Sequence, residues 1–354
     1  MIDFGVPPGA SEIEVTLIGP GYGEALAVHL GDDVWMLVDS CIDPNSQSPA
    51  SLHYLERIGV DPARVRTIIA SHWHDDHVRG ISQIAARCPG ADFVLSAVFN
   101  TTEAAAFAAA YSGESSVGLA RGAKELYSIV KARGSVNFAQ HKSIVLQENL
   151  NGRQVMVTAL SPLPATSAQF VLRMGRYAAR EDGATNNAPD LRPNTEAVAL
   201  HIDFGDDAVL LGADLEEHHA YGWSAIANDG WSGSRRPATT YKVAHHGSYT
   251  GDCPQIWAKL LGANPVACLT PFTLGNLRLP SDDDKARVRS NTQHSYTSSG
   301  ASRRAEMDGR LLKRLSRVAK NVAVANSGFG AVRLRKCIGA PSWNVELFGS
   351  AQPL

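Results

Sequence analysis

The segment SHWHDDHVRG, residues 71–80, constrains this chain most, because four potential metal ligands fall within six residues. These are His72, His74, Asp76 and His77. Side chains two apart in an extended segment point the same way, so His72 and His74 can bind one metal ion. Asp76 and His77, past a bend, can turn to a second. The alternative is a polar loop with incidental histidines.

The chemistry of these ligands indicates both the kind of metal and the kind of reaction. Imidazoles combined with a carboxylate suit borderline divalent ions such as zinc, manganese or iron. Two cations roughly 3.5–4 Å apart can hold a hydroxide between them and lower the pKa of water toward neutrality. The segment therefore predicts a hydrolase that uses a metal-bound hydroxide.

Composition narrows the class of protein without naming a substrate. The 354 residues are 44% hydrophobic and 19% charged, which is typical of a folded protein of one or two domains. The net charge of -2 gives no global field for a polyanion. Five scattered cysteines form no CxxC pair, and no apolar stretch is long enough to span a bilayer. We expect a reduced, cytoplasmic protein without a membrane partner, of unknown oligomeric state.

The hydrophobic pattern predicts two similar halves. The expected strands of the first half are EIEVTLIG (12–19), EALAVHL (24–30), VWMLVDS (34–40) and VRTIIA (65–70). Those of the second half include RQVMVTAL (153–160), AQFVLRM (168–174), EAVALHIDFG (196–205) and DAVLLGAD (207–214), with a helix over LEEHHAYGWSAIA (215–227). Because both halves run from strands into a strand, loop and helix, they favour a two-fold sandwich.

The HWHDDH segment resembles the HxHxDH signature of the metallo-β-lactamase superfamily. The resemblance implies an α+β fold, an αββα four-layer sandwich, as a single domain over residues 1–354. It would carry a helical insertion at about 99–133 and a C-terminal α/β extension at about 301–354. The forms HHGS (245–248) and LLGADLE (210–216) are most similar to the ComEC-type branch, which acts in competence DNA uptake.

The same resemblance implies roles for residues outside the histidine segment. Asp39 matches the buried aspartate that orients the histidine loop, a supporting role that metal sites need, although it can also be a turn residue at a strand end. Asp214 matches the carboxylate that bridges two metals; the alternative is a helix N-cap. His246 is favoured as a ligand and His245 as a substrate contact, and we assign catalytic roles to Asp76 and His245.

One ligand of the superfamily has no counterpart here. Many members place a further histidine in a GHT-like turn, where this chain has VTALSPLPATS. Ser161 and Asn194 are nearest in sequence order, and His141 is a further candidate. The first metal site would then be weak, solvent-ligated or selective for a harder ion such as manganese. We expect two divalent ions, zinc or manganese.

Basic residues near the C-terminus bear on the substrate. Seven lie between 303 and 320: Arg303, Arg304, Arg310, Lys313, Arg314, Arg317 and Lys320. They form either a solvated helix face or a phosphate contact, to which Arg333, Arg335 and Lys336 would add. The leading hypothesis is a phosphodiesterase or nuclease acting on a small-molecule or nucleic-acid phosphodiester. The alternatives are a lactam, lactone or thioester hydrolase and a non-catalytic metal-binding regulatory module.

Overall fold

A computed structural model describes residues 2–20, 23–100, 120–178, 193–300 and 328–354, together with residue 314. The central part of the expected insertion, 101–119, and most of the basic segment, 301–313 and 315–327, lie outside the described residues. No helix in the described part is both long and apolar enough to cross a membrane.

Two eight-stranded sheets dominate the described structure. The first contains β1 (Glu12–Gly19), β2 (Ala25–Gly31), β3 (Val34–Val38), β4 (Val65–Ala70), β5 (Asp92–Ser96), β6 (Asn137–Ala139), β16 (Gly330–Cys337) and β17 (Asn344–Gly349). Its order is β17-β16-β1-β2-β3-β4-β5-β6. Strands β1 to β3 form the expected antiparallel meander, and β3, β4 and β5 then run parallel.

The second sheet repeats this arrangement. It contains β7 (Ile144–Leu150), β8 (Arg153–Ala159), β9 (Leu200–Asp203), β10 (Ala208–Leu211), β11 (Ala238–Lys242), β12 (Leu261–Leu269), β15 (His294–Thr297) and β18 (Gln352–Pro353). Its order is β18-β15-β12-β11-β10-β9-β8-β7, with β10, β11 and β12 parallel. A separate hairpin pairs β13 (Phe272–Leu274) with β14 (Leu277–Leu279).

Helices lie outside the two sheets. The α-helices are α1 (Ala50–Arg57), α2 (Asp75–Val78), α3 (Ile81–Arg87), α4 (Ala120–Arg133), α5 (Pro164–Ala178), α6 (Trp223–Asn228), α7 (Gly230–Gly233) and α8 (Asp282–Asn291). Short 3-10 turns cover Pro62–Arg64, Ala97–Phe99, Pro193–Glu196, His245–Gly247 and Tyr249–Gly251, and a π-helical turn covers Ile256–Leu260. Helix α4 falls within the expected insertion.

The core is divided into layers by strands that are buried on both faces. Along β3, Trp35 and Leu37 pack toward the helices, whereas Met36 and Val38 pack between the sheets. This alternation follows from the two-residue period of a strand. A third cluster, which includes Trp223 of α6, covers the outer face of the second sheet. The result is helix, sheet, sheet, helix, which confirms the predicted α+β sandwich.

Two predictions of secondary structure were wrong. Residues 168–174, AQFVLRM, were expected as a strand but lie within α5, because a short apolar run rich in Ala, Gln, Leu and Met also suits a helix. The helix expected over 215–227 begins only at Trp223. Asp214 therefore caps no helix, which excludes the N-cap alternative. The C-terminal strands are integral to the sandwich, since β16 pairs with β1 and β18 with β15.

Candidate metal centre

The histidine segment leaves the carboxyl end of β4 and is anchored by Asp39, which follows β3. The backbone N–H of Ser71 donates to Asp39 Oδ1 at 2.7 Å, and the Ser71 hydroxyl donates to Oδ2 at 2.8 Å. Nδ1 of His72 lies 3.0 Å from that hydroxyl, whose proton is already directed at Asp39. His72 therefore carries its proton on Nδ1 and presents Nε2 as a lone pair.

His72 and His74 share one side of this loop. Nε2 of His72 lies 3.1 Å from Nδ1 of His74, so the two ring nitrogens converge on one point. Burial lowers the pKa of both imidazoles, that of His72 well below its usual value. Neutral imidazole is the form that binds metal. The spacing prediction is thus matched by two side chains that face each other.

Past the bend, helix α2 carries Asp76 and His77 toward two residues that follow strands of the second sheet. Ligand atoms of Asp76, His77, Asp214 and His246 all lie within 4.8 Å of one another. Nε2 of His77 and Nε2 of His246 lie 3.4 Å and 3.3 Å from Asp214 Oδ2. Asp76 Oδ2 is 3.3 Å from Nε2 of His246. Each half of the chain thus supplies part of one group.

The free atoms of this group fit a divalent cation. Nδ1 of His77 donates to Asp39 Oδ2 at 2.8 Å, and Nδ1 of His246 donates to the carbonyl of Thr270 at 3.0 Å. With Nδ1 held in this way, both rings turn Nε2 to the centre, where neither nitrogen has a hydrogen-bond partner in the described residues. Asp214 Oδ1 is unpaired in the same sense. Unpaired imidazole nitrogens beside carboxylates are the donors that a borderline divalent ion takes.

The pKa values of the group also indicate a site for a cation. Burial lowers the pKa of His246, but Asp214 and Asp76 outweigh it and raise that pKa to about 10. The pKa of His77 also rises well above its usual value despite burial, because of Asp214, Asp76 and Asp39. Burial raises the pKa of Asp214, but His246 and His77 outweigh it and hold it well below its usual range. The carboxylates therefore stabilise a positive charge at the centre of this four-residue group.

His245 stands beside this group and makes different contacts. Its Nδ1 lies 2.7 Å from Thr250 Oγ1, and its Nε2 lies 3.1 Å from the side-chain nitrogen of Asn194. The His245 side chain is 17% exposed, whereas that of His246 is 2% exposed. Both residues adopt positive φ, 47° and 52°, which is uncommon for residues other than glycine.

Two of the three candidates for the missing ligand are engaged elsewhere. The hydroxyl of Ser161 donates to the carbonyl of Ala197 at 2.6 Å. Asn194 contacts His245 and Glu216 through its side-chain nitrogen, whereas its Oδ1 has no hydrogen-bond partner among the described residues. Nδ1 of His141 donates to the carbonyl of Leu160 at 2.8 Å, and its Nε2 lies 3.1 Å from Asp229 Oδ2. None of these hydrogen bonds reaches His72 or His74.

Sequence reasoning missed two charged residues beneath the cluster. Glu24, just before β2, and Lys242, the last residue of β11, form an ion pair whose side chains are both 0% exposed. The only signal was a charge placed inside or beside an apolar strand, since buried Glu and Lys normally require a partner. Nothing in the sequence indicates that these two residues pair with each other.

Three basic residues of β16 are not available to a substrate, contrary to the sequence-based hypothesis. Arg333 Nε lies 2.8 Å from Glu346 Oε2, Arg335 binds Glu14, and Lys336 Nζ lies 2.6 Å from Asp207 Oδ2. Arg333 and Lys336 are buried. They stabilise the sheets because their charges are already paired, so they add no free positive surface.

Comparisons with known proteins agree with this architecture. The family model of the metallo-β-lactamase superfamily matches residues 18–147, which include Asp39 and the whole histidine segment. This region, just over a third of the chain, is similar to the metallo-β-lactamase superfamily. The superfamily consists mostly of metal-dependent hydrolases, and the chain has its fold. No curated protein sequence matches the chain.

Solved structures of the metallo-β-lactamase fold are similar at low identity. The metallo-β-lactamase fold protein YhfI from Bacillus subtilis is 12% identical, with a TM-score of 0.41, over 80% of this chain and 95% of that one. The metallo-β-lactamase MIM-1 from Novosphingobium pentaromativorans is 17% identical, with a TM-score of 0.33, over 67% of this chain and 77% of that one.

Proposed function

We propose that the chain is a metal-dependent hydrolase that binds two divalent ions, zinc or manganese. His72 and His74 would hold one ion and Asp76, His77 and His246 the other, and Asp214 would be a further ligand. One observation carries the metal dependence: the ligand atoms of four buried residues, two after a strand of the first sheet and two after strands of the second, converge within 4.8 Å. Such convergence of buried histidines and carboxylates is typical of a metal site rather than of a hydrophobic core.

The chain's own residues would prepare this site for hydrolysis. When bound, the ions would make water acidic and offset charge on the attacked group. Asp39 holds His77 and, through Ser71, His72 in one tautomer, so both rings keep their direction. His245 and Asn194, which are less buried than Asp76, His77, Asp214 and His246, would bind the substrate. Thr250 fixes the His245 ring in that position.

We further propose a phosphodiester as the substrate. Four buried carboxylates, those of Glu24, Asp39, Asp76 and Asp214, face one buried ammonium, that of Lys242, so the cluster has three negative charges in excess when its histidines are neutral. Two divalent ions would reverse this to a single positive charge before a hydroxide is counted. A site that is positive until the hydroxide forms favours binding of an anionic group over a neutral lactam or lactone. The HHGS and LLGADLE forms, similar to the ComEC-type branch, support the same substrate class.

The proposed reaction is tested with bis-p-nitrophenyl phosphate and with single-stranded DNA, each with manganese or zinc. We expect turnover that Asp214→Ala abolishes. The matched control is Asp206→Ala, which removes an aspartate paired with Arg153 outside the cluster and leaves turnover unchanged.

Three outcomes would contradict the proposal in different ways. Turnover that survives Asp214→Ala would place the reaction elsewhere. Turnover of nitrocefin or an acyl-homoserine lactone, with none of either diester, would favour a lactam or lactone hydrolase. A metal-loaded protein inert on diesters, lactams, lactones and thioesters would indicate a regulatory module.

A further inference from the structure

The buried ion pair of Glu24 and Lys242 connects the two sheets directly below the candidate metal centre. Glu24 precedes β2 of the first sheet, and Lys242 ends β11 of the second. Besides contacting Glu24 Oε1, the ammonium of Lys242 donates to the carbonyl of Ala213 at 2.8 Å. A fully buried ion pair is expensive to desolvate and is weak evidence for stability by itself. Its position requires another explanation.

Both members of the pair lie next to the candidate ligands. Lys242 Nζ is 3.7 Å from Asp214 Oδ1, while Asp214 Oδ2 faces the two imidazoles. Glu24 Oε2 lies 3.7 Å from Nδ1 of His246, and Oε1 lies 4.0 Å from Nδ1 of His77. The pair therefore lies next to both the carboxylate and the imidazole ligands. Neither of its members occupies the centre of the four-residue group.

The backbone next to Asp214 depends on the same ammonium. Ala213 has a φ of 45°, a conformation that costs free energy for a residue with a Cβ. Its carbonyl accepts from Lys242 Nζ and from the backbone N–H of His245, at 2.8 Å and 3.0 Å. These two bonds hold the strained peptide that directs the Asp214 side chain.

We propose that Glu24 and Lys242 are positioning residues for the metal centre. Lys242 fixes Asp214 through the Ala213 carbonyl and faces the Asp214 oxygen that the imidazoles leave free. Glu24 holds Lys242 and places a negative charge beneath His77 and His246. This inference rests on the proposed metal site, but it assigns the pair no contact with substrate.

The test compares a neutralised pair with a matched neutralised pair elsewhere. The variant Glu24→Gln/Lys242→Met removes both charges while keeping side-chain length. The control is Asp207→Asn/Lys336→Met: Lys336 Nζ lies 2.6 Å from Asp207 Oδ2, with side chains 8% and 2% exposed, and this pair also joins the two sheets. Neither control residue contacts a candidate ligand.

The readouts are the affinity for Co²⁺, the visible absorption of the Co²⁺ protein, and thermal unfolding. In the Glu24/Lys242 variant we expect Co²⁺ binding to weaken 10- to 100-fold, the range for residues that support metal ligands, with a changed spectrum. In the control we expect a shift in unfolding only. Wild-type affinity and spectrum in the Glu24/Lys242 variant would overturn the proposal.

A second variant keeps the test informative if the neutral pair does not fold. Lys242→Arg retains the charge but replaces the compact ammonium by a planar group with different donor geometry. We expect a changed Co²⁺ spectrum and weaker binding in a folded protein; an unchanged spectrum and affinity would also overturn the proposal. Since the readout is metal binding, a wild type that binds Co²⁺ but cleaves no diester refutes only the proposed reaction.

Discussion

Oδ2 of Asp39 lies 2.8 Å from Nδ1 of His77, and both side chains are almost completely buried. The carboxylate can only accept, so it fixes the proton on Nδ1 and leaves Nε2 as the ligand atom. Asp39→Asn removes the charge and lets an amide proton face the ring. We expect metal affinity to fall about 10- to 100-fold, measured by competition with a chelating dye.

The control for this change is Asp43→Asn. Asp43 is also buried and lies 3.8 Å from a histidine, His53, but it contacts no residue of the cluster. Its metal affinity should equal that of the wild type. Equal losses in the Asp39 and Asp43 variants would mean that the effect is one of general stability and that Asp39 does not orient a ligand.

Substitutions of the adjacent His245 and His246 should have different effects on metal content and on activity. His246→Gln removes a proposed ligand, so we expect one metal ion fewer per chain, measured by elemental analysis. His245→Gln should retain the metal content and lower kcat/KM about 10-fold or more, the effect of losing a hydrogen bond to the bound substrate. His219→Gln, at an exposed site, should change neither. Loss of metal from the His245 variant would reverse the two assignments.

Gly23 is required by the close approach of two backbones. It has a φ of 106°, and a Cβ there would lie 1.7 Å from the carbonyl oxygen of Asp76. The next residue, Glu24, donates its N–H to that same oxygen at 3.0 Å. Gly23→Ala must therefore displace the histidine segment, and we expect loss of metal together with more than about 1 kcal/mol of unfolding free energy.

Gly59→Ala is the control that introduces backbone strain without displacing a neighbouring segment. Gly59 has a φ of 77° and nothing within 4 Å of a built Cβ, so the backbone is strained without any clash. We expect about 1 kcal/mol of destabilisation and wild-type metal binding, measured by denaturant unfolding and elemental analysis. A Gly23→Ala variant that keeps its metal would refute the steric argument.

Glu196 should make stability depend on pH. It is 1% exposed, and burial raises the pKa of its carboxyl well above 4.5, with Arg173 opposing only in part. A carboxyl whose pKa is raised in the folded state stabilises below its unfolded pKa and loses that contribution as pH rises toward its folded pKa. Relative to wild type, Glu196→Gln should gain up to about 1.4 kcal/mol per pH unit above about 4.5.

The measurement is urea unfolding at several pH values, with Glu56→Gln as the control. Glu56 is exposed and paired with the exposed Arg87, so its loss should shift stability by a small, nearly constant amount. If the free energies of the Glu196→Gln variant and the wild type run parallel from pH 5 to pH 8, Glu196 is ionised in the folded protein and the prediction is wrong.

The histidine segment could be predicted because its ligands are close together in the sequence. Features that depend on pairing between distant residues could not. His72, His74, Asp76 and His77 lie in one short segment, so spacing alone indicated their common purpose. The repeated order of strands followed by a strand, loop and helix in the two halves similarly predicted the sandwich.

Pairing across the chain has no such local signal. The partner of Lys242 is Glu24, from the opposite half of the sequence, and only the packing of the two sheets brings them together. The charges of Arg333 and Arg335 were read as surface charge for the same reason, because their acidic partners lie on other strands. The strand expected at 168–174 failed because a short apolar run does not distinguish a strand from a helix.

The candidate ligands come in two sets, one after β4 in the first sheet and one after β10 and β11 in the second. An ion bound between these sets would stabilise the packing of the two sheets, because neither half of the chain carries all of its ligands. At ion concentrations 100-fold above Kd, binding would add about 2.7 kcal/mol to the free energy of unfolding. Metal supply would then govern the lifetime of the folded protein as well as its chemistry.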